Sequence, residues 1–114
     1  MAGVRTLVVT LSPLLADLIT SVLQPHLPLD VIGVAPTRER LAETLRELQP
    51  ELVLLGLENG EKDSCARPLL AVLPSARILV LGKNGQDAWL YEMRPHRRAL
   101  VHMSPSSLID ALLA

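Results

Sequence analysis

The stretch that decides the fold is ELVLLGLENG, residues 51–60, in which five of six consecutive residues are leucine or valine. An apolar run of this length, followed by a polar loop, predicts a strand that is buried on both faces. Gly56 interrupts the run near its carboxyl end, where a glycine adds no packing and costs backbone entropy. The place of this glycine therefore needs an explanation.

Four other short apolar runs predict further strands, and segments with helical spacing lie between them. The predicted strands cover residues 6–11, 31–35, 52–57, 77–81 and 99–103. The predicted helices cover residues 14–23, 37–49 with Thr37 as N-cap, 66–73, 87–93, and a segment after residue 105 that contains Leu108, Ile109 and Leu112. Apolar residues recur at intervals of three and four in these segments, and prolines stand at several of their ends.

Strands that are apolar on both faces and alternate with helices predict an α/β domain with a parallel sheet covered on both sides. Right-handed crossovers then favour a doubly wound, three-layer (βα)5 arrangement with strand order 2-1-3-4-5. In such sheets, ligands bind beyond the carboxyl ends of the strands, where the strand order reverses. This rule directs attention to Thr10, Leu11, Gly56 and Gly82.

The composition is that of one globular domain. The chain has 114 residues, of which 49% are hydrophobic, and a net charge of −1. No apolar run approaches the roughly 20 residues that span a bilayer, and no signal peptide is recognisable. A single cysteine, Cys65, excludes an internal disulfide and favours a reducing, cytoplasmic location. The near-zero net charge argues against a nucleic-acid-binding surface.

Five segments in order carry a resemblance to a known family: LVVTLSPLL, VIGVAPT, LRELQPELVLLGL, ARILVLG and SPSSLIDALL. With them the chain resembles, over essentially its whole length, the receiver domain of bacterial two-component response regulators. The closest likeness is to receivers that precede a helix-turn-helix output domain. The resemblance implies a flavodoxin-like fold and a role in signalling or transcription control. It also implies that DNA would be contacted only through an output domain outside this chain.

The residues that make a receiver work are missing at the matching positions. The acidic pair that binds Mg²⁺ in the family falls on Thr10 and Leu11, and the phosphoryl-accepting aspartate falls on Gly56. The hydroxyl residue of the family falls on Gly82 and its lysine on Val101. Magnesium needs carboxylate oxygens, and phosphoryl transfer needs a nucleophilic side-chain oxygen. We therefore interpret Gly56 as a vacated acceptor position and predict no catalytic residue, metal or cofactor.

The aromatic residues suggest an interaction surface. Trp89 and Tyr91 are two positions apart, so on the predicted helix 87–93 they cannot both face inward. Receivers commonly dimerise through helix 4, strand 5 and helix 5. The residues that this resemblance marks as interaction candidates are Trp89, Tyr91, Met93, His102 and Met103. The alternative is that Trp89 fills a core that is otherwise aliphatic.

The sequence predicts a phosphorylation-independent module that forms a homodimer or binds a signalling protein, without a membrane or nucleic-acid partner of its own. One alternative is a small-molecule sensor that uses an apolar pocket at Leu11, Gly56 and Gly82. A divergent enzyme is disfavoured, because no nucleophile, base and orienting group can be assembled from the strand ends. Near this edge, the acidic loop 58–63 is interpreted as a solvated loop rather than a cation site, and Cys65 as an ordinary thiol whose pKa a helix start could lower.

Overall fold

A computed structural model describes residues 3–58, 60–82, 87–92, 98–100 and 112. The strands of the described chain are β1 (Val4–Val9), β2 (Leu29–Ala35), β3 (Leu52–Gly56), β4 (Arg77–Leu81), β5 (Ala88–Tyr91) and β6 (Arg98–Leu100). Its helices are α1 (Pro13–Leu23), α2 (Leu41–Leu48), a 3-10 helix (Asp63–Ala66) and α3 (Arg67–Val72). The strands form one sheet in the order β2-β1-β3-β4-β5-β6. None of the helices in the described ranges is long and apolar enough to cross a bilayer.

The first four strands confirm the predicted parallel arrangement. β1 lies between β2 and β3, and β4 pairs with the other edge of β3, all in parallel. All five residues of β3 are buried, as the unbroken apolar run predicts. Alternate side chains of these strands enter two cores on opposite faces of the sheet, one under α2 and α3 and the other under α1.

Helix α1 forms where it was predicted, because its start is capped and its apolar residues share one side. The Ser12 side chain accepts a hydrogen bond from the backbone N of Leu15 at 3.2 Å, and Pro13 occupies the first turn. Ile19 and Leu23 are buried against the sheet. Helix α2 begins later than predicted, at Leu41. Thr37 is therefore not its N-cap, and the residue before α2, Arg40, has a left-handed backbone with φ +56°.

The prediction of a helix over residues 87–93 is wrong. β5 occupies Ala88–Tyr91 and pairs antiparallel with β4, with Leu90 opposite Leu79 and Trp89 opposite Val80. Ala88 and Leu90 enter the core under α1, whereas Trp89 and Tyr91 pack on the side of α2 and α3. In this segment, side chains alternate between the two faces of the sheet and are apolar on both. Such a pattern, rich in aromatic residues, is typical of a buried strand.

The fifth predicted strand is also misplaced. β6 pairs antiparallel with β5 rather than parallel with β4. It contains Ala99 and Leu100 of the predicted strand 99–103, and residues 101–103 lie outside the described residues. The sheet is therefore mixed, and the prediction of five parallel strands is wrong, although the α/β class and compatibility with a flavodoxin-like fold remain. Of the predicted last helix, Leu112 is described. Its side chain is buried in the core under α1, and its carbonyl oxygen accepts a hydrogen bond from Arg77.

One irregularity marks the outer strand of the parallel half. The register between β1 and β2 shifts so that Thr6 pairs with Val31 but Leu7 pairs with Gly33, which leaves Ile32 as an extra residue. As a result, Val31 lies opposite Thr6 and Val34 lies opposite Val8, so both valines are on the face of the sheet that α1 covers. Both valines are exposed on this edge.

Candidate functional site

Four of the five sequence-predicted site positions come together at the carboxyl ends of the parallel strands. Thr10, Leu11, Gly56 and Gly82 line one pocket of about 280 Å³. The remaining lining residues are Ser12, Leu15, Leu57 and Leu81. Val101 lies outside the described residues. The structure thus joins the end of β1, the start of α1 and the ends of β3 and β4 around one cavity.

Gly56 is required by a close approach of the backbone. A Cβ atom at this position would lie 2.5 Å from the carbonyl oxygen of Thr10 and 2.8 Å from Cδ2 of Leu11. Neither separation is possible for a real side chain, and the nearer atom belongs to the backbone, which cannot rotate away. The interpretation of Gly56 as merely a vacated position is therefore incomplete, because this backbone also excludes any replacement side chain.

Thr10 makes the turn that brings the backbone so close. Its φ of +50° is in the left-handed region, which is unfavourable for a β-branched residue. Its backbone N donates to the carbonyl oxygen of Ala35 at 2.9 Å, and its hydroxyl donates to the carbonyl oxygen of Gly56 at 2.6 Å. The strained turn is thus held to β2 on one side and to β3 on the other.

Arg38 completes this arrangement. Its Nε donates to the hydroxyl oxygen of Thr10 at 3.2 Å, and its Nη2 donates to the carbonyl oxygen of Gly56 at 2.7 Å. The same guanidinium binds both carboxylate oxygens of Glu61, with distances of 2.5 Å from Nη1 and 2.6 Å from Nη2. A planar guanidinium with two parallel bonds to a carboxylate is the strong form of an ion pair. Arg38 therefore ties the ends of β1 and β3 to the loop after β3.

The sequence interpretation missed this cluster, although one signal was present. The predicted helix 37–49 and the solvated loop 58–63 suggest no contact between Arg38 and Glu61. Each residue follows the carboxyl end of a predicted parallel strand by three or four residues, and such ends meet at one edge of a sheet. Opposite charges at matching places along this edge were the available indication of a pair.

The electrostatics of the cluster follow from its geometry. The hydrogen bond from Arg38 lowers the pKa of Glu61 below its usual value, against the opposing effect of partial burial. Burial alone would lower the pKa of Arg38, but the hydrogen bond and charge of Glu61 outweigh it and raise that pKa. The carboxylate of Glu58, 3.8 Å from Nε of Arg38 and 58% exposed, adds little because water screens it.

A helix start could lower the pKa of the Cys65 thiol, but in the structure this pKa is raised. Burial raises the pKa of its thiol, and the negative charge of Glu61 acts in the same direction. A smaller fraction of this thiol is therefore ionised at neutral pH than in a free cysteine. Among the described residues, no group of three or more histidine, cysteine or acidic side chains is placed to hold a metal ion. In the acidic loop, the carboxylate of Glu61 binds Arg38 instead.

The predicted interaction residues are distributed differently from the expectation. Trp89 and Tyr91 lie on one face of β5, so the prediction that they diverge is wrong. Tyr91 is buried and its hydroxyl donates to Oδ2 of Asp63, while Trp89 is half-buried against the same core. This packing supports the alternative that Trp89 fills the core. Met93, His102 and Met103 lie outside the described residues.

Large apolar side chains are exposed elsewhere in the described chain. Leu14 and Leu18 of α1 are 82% and 54% exposed, and Val31 and Val34 of β2 are exposed as well. Leu14 and Leu18 belong to the predicted helix 14–23, but only part of its broad apolar side contacts the sheet. An apolar stripe wider than the contact leaves such residues for a partner or for solvent.

Comparison with known proteins does not assign the chain to a family. No protein-family model matches it, and no curated protein sequence matches it. The resemblance to receiver domains therefore rests on the five segments quoted above.

Proposed function

We propose that this chain is a receiver-like module that acts by constitutive protein–protein interaction or dimerisation in bacterial signalling or transcription control. It works without phosphorylation. The observation that carries the proposal is the backbone at Gly56, the position matched to the phosphoryl acceptor. With the Thr10 carbonyl oxygen 2.5 Å from its Cβ position, this site has neither a nucleophilic side chain nor space for one.

The cation at this edge is permanent, which also favours a constitutive role. In a working receiver, as the resemblance implies, an exchangeable Mg²⁺ ion lies near the acceptor. Here the guanidinium of Arg38 binds the Gly56 carbonyl oxygen and is neutralised by Glu61. Arginine stays protonated at every physiological pH. A single charge state favours a single conformation of the three loops that meet here.

An enzymatic role is not part of the proposal. The hydroxyl of Thr10 donates to Gly56 and accepts from Arg38, so it is committed to structural hydrogen bonds. The described lining of the pocket contains no carboxylate, imidazole or amine that would activate a hydroxyl. We place the module in the cytoplasm, and we assign DNA contact only to an output domain outside this chain.

We assign the contact surface to α1 rather than to the region of residues 87–93. Leu14 and Leu18 are one helical turn apart and are the most exposed large apolar residues of α1. Asp17 is the only charged residue of this helix. Two copies of α1 packed antiparallel would bring their leucines together without opposing a row of like charges, which makes a second copy of this chain the preferred partner.

The test is the molar mass of the purified chain, measured by light scattering over a concentration series with and without Mg²⁺ and acetyl phosphate. We expect a dimer whose formation is unchanged by both reagents, and no phosphoryl group in the intact mass. Leu18→Glu should give a monomer. Arg46→Glu, a matched exposed change on α2, should leave the dimer intact.

Three results would contradict the proposal. Phosphoryl incorporation, or association only in the presence of donor and metal, would mean that another side chain accepts the group. A monomer at all concentrations would remove the dimerisation role. A dimer unaffected by Leu18→Glu would place the contact on another surface.

A further inference from the structure

The pocket at the strand ends has the position and size of a small-molecule site. It lies at the carboxyl ends of β1, β3 and β4. From β1 the chain crosses first to β2 on one side, and it later continues through β3 and β4 on the other side, so the strand order reverses here. Ligands bind at this place in open α/β sheets. Its volume of about 280 Å³ is close to the lower end of functional ligand pockets, which begin at about 300 Å³.

Backbone strain in the pocket wall is a second, independent observation. Thr10 keeps a left-handed backbone although it is β-branched, at a cost of about 1–3 kcal/mol. Hydrogen bonds from Arg38 and to Gly56 and Ala35 maintain this conformation. Conformations of this kind are concentrated at ligand clamps and active sites, where they fix the shape of a binding surface. Here the strained turn positions Leu11 and Ser12 at the pocket.

The chemistry of the lining defines the class of ligand. Leu11 and Leu15 are partly exposed at the edge of the core under α1 and supply apolar contacts, whereas Leu81 is fully buried and Leu57 packs against the core under α2 and α3. The hydroxyl of Ser12 accepts from Leu15, and its proton remains for a ligand. No charged side chain is among the described lining residues, and Arg38 is already paired with Glu61. Burying a charged ligand without a charged partner would be costly.

We propose that this pocket binds a small uncharged molecule with an apolar ring or chain and at least one hydrogen-bonding group. The Ser12 hydroxyl orients the polar group, and Leu11 and Leu15 contact the apolar part. This proposal is independent of the interaction role, because molar mass and phosphoryl incorporation are measured without any such ligand. It replaces the purely apolar pocket predicted from sequence with one of mixed character.

The experiment is a titration of the full chain, observed through the methyl signals of its leucines by nuclear magnetic resonance. The probes are benzamide, benzoate and benzamidinium, which have nearly the same shape and differ in charge. We expect saturable shifts from benzamide at Leu11 and Leu15, whose side chains reach the pocket. Benzoate and benzamidinium should bind at least about tenfold more weakly, because neither charge has a partner among the described lining residues.

Variants locate the site. Leu15→Trp fills the pocket and should weaken benzamide binding by at least about tenfold, whereas Arg46→Trp on the exposed side of α2 should change it by less than about twofold. Should Leu15→Trp fail to fold, Ser12→Asp serves as the second variant. Aspartate is also a good N-cap, so α1 is retained, and its carboxylate at the pocket should raise the affinity for benzamidinium by about tenfold.

Four outcomes would overturn the proposal. They are benzamide shifts that do not saturate, the absence of shifts at Leu11 and Leu15, equal effects of the two tryptophan variants, and benzoate binding as tight as that of benzamide. The last outcome would assign the pocket to anions attracted by the start of α1.

Discussion

β2, β1, β3 and β4 pair in parallel, whereas β5 and β6 extend the same sheet by antiparallel pairing. Parallel neighbours need a crossover of a dozen or more residues, usually a helix, and each connection in the first half contains one. Only residues 82–87 separate β4 from β5, which is too short for such a crossover. The length of the connection therefore decides the direction of the next strand, although both halves are equally apolar.

The two halves also differ in how they complete the cores. In the parallel half, helices cover both faces of the sheet. The extension contributes directly from one strand, with Ala88 and Leu90 in the core under α1 and Tyr91 in the core under α2 and α3. β5 therefore contributes buried side chains to both cores, which no single helix of the parallel half does. If this comparison is right, the extension should be as necessary for stability as the parallel strands.

The largest expected effect tests this equivalence. Leu54 of β3 and Leu90 of β5 are both fully buried in the core under α1, so Leu54→Ala and Leu90→Ala should each lower the free energy of unfolding by about 3 kcal/mol. Urea denaturation measures the change. The exposed Lys62 provides the control, since Lys62→Ala should cost less than about 0.5 kcal/mol. A loss below about 1 kcal/mol for Leu90→Ala would break the comparison.

The next prediction concerns the close backbone contact at the carboxyl edge of the parallel strands. Gly56→Ala should lower the free energy of unfolding by about 2–3 kcal/mol, because its Cβ collides with the Thr10 backbone. At Gly33 a Cβ would be 3.2 Å from methyl groups of Leu7 and Leu48, which can rotate. Gly33→Ala, measured in the same way, should therefore cost less. Equal costs would mean that the turn at Thr10 adapts easily and that strain does not shape the pocket.

A smaller effect concerns the ion pair beside this edge. Glu61→Gln should lower the free energy of unfolding by about 1.5 kcal/mol at pH 7, since it removes the charge that pairs with Arg38. Because the folded state lowers the pKa of Glu61, the carboxylate stabilises the fold above its ordinary pKa of 4.5. This contribution is lost as the pH falls through the lowered value.

The stability difference between wild type and Glu61→Gln should therefore shrink between pH 5 and pH 3, as measured by urea denaturation. Glu58→Gln is the matched control. It changes a carboxylate that is 58% exposed in the same loop and should have little effect at any pH. A pH-independent difference for Glu61 would show that its charge does not support the cluster.

The smallest effect links the two halves. Tyr91→Phe removes the hydroxyl that donates to Asp63, so it should lower the free energy of unfolding by about 1 kcal/mol without creating a cavity. Thermal unfolding provides the measurement. Trp89→Phe on the same face changes ring size but no hydrogen bond to that loop. Should Tyr91→Phe be neutral while Asp63→Asn destabilises, the loop after β3 is held independently of the extension.

The parallel half could be predicted because its signals are local and consistent. β3 is apolar at every position, α1 carries a cap and a proline at its start, and the repeated alternation leaves one topology. The extension could not be predicted in this way. AWLY, residues 88–91, is short and apolar, and such a run suits a helix or a strand until its pairing partner is known.

The candidate site was predictable in place but not in chemistry. The strand ends directed attention to Thr10, Leu11, Gly56 and Gly82, and the structure brings these four together. The role of Arg38 depends on a bidentate contact with Glu61 across 23 residues, and a charged side chain before a helix predicts only solvent exposure. The close approach at Gly56 likewise depends on the left-handed turn of Thr10, which no local preference of threonine favours.

The extra residue Ile32 in β2 has a consequence for the behaviour of the chain in concentrated solution. An outer strand with exposed valines is a template on which foreign strands add and aggregates grow. The register shift at Ile32 breaks the regular spacing of outward N–H and carbonyl groups along this strand. A foreign strand can then align with one side of the irregularity but not with both, so the same bulge that shapes the sheet also protects it from fibril growth.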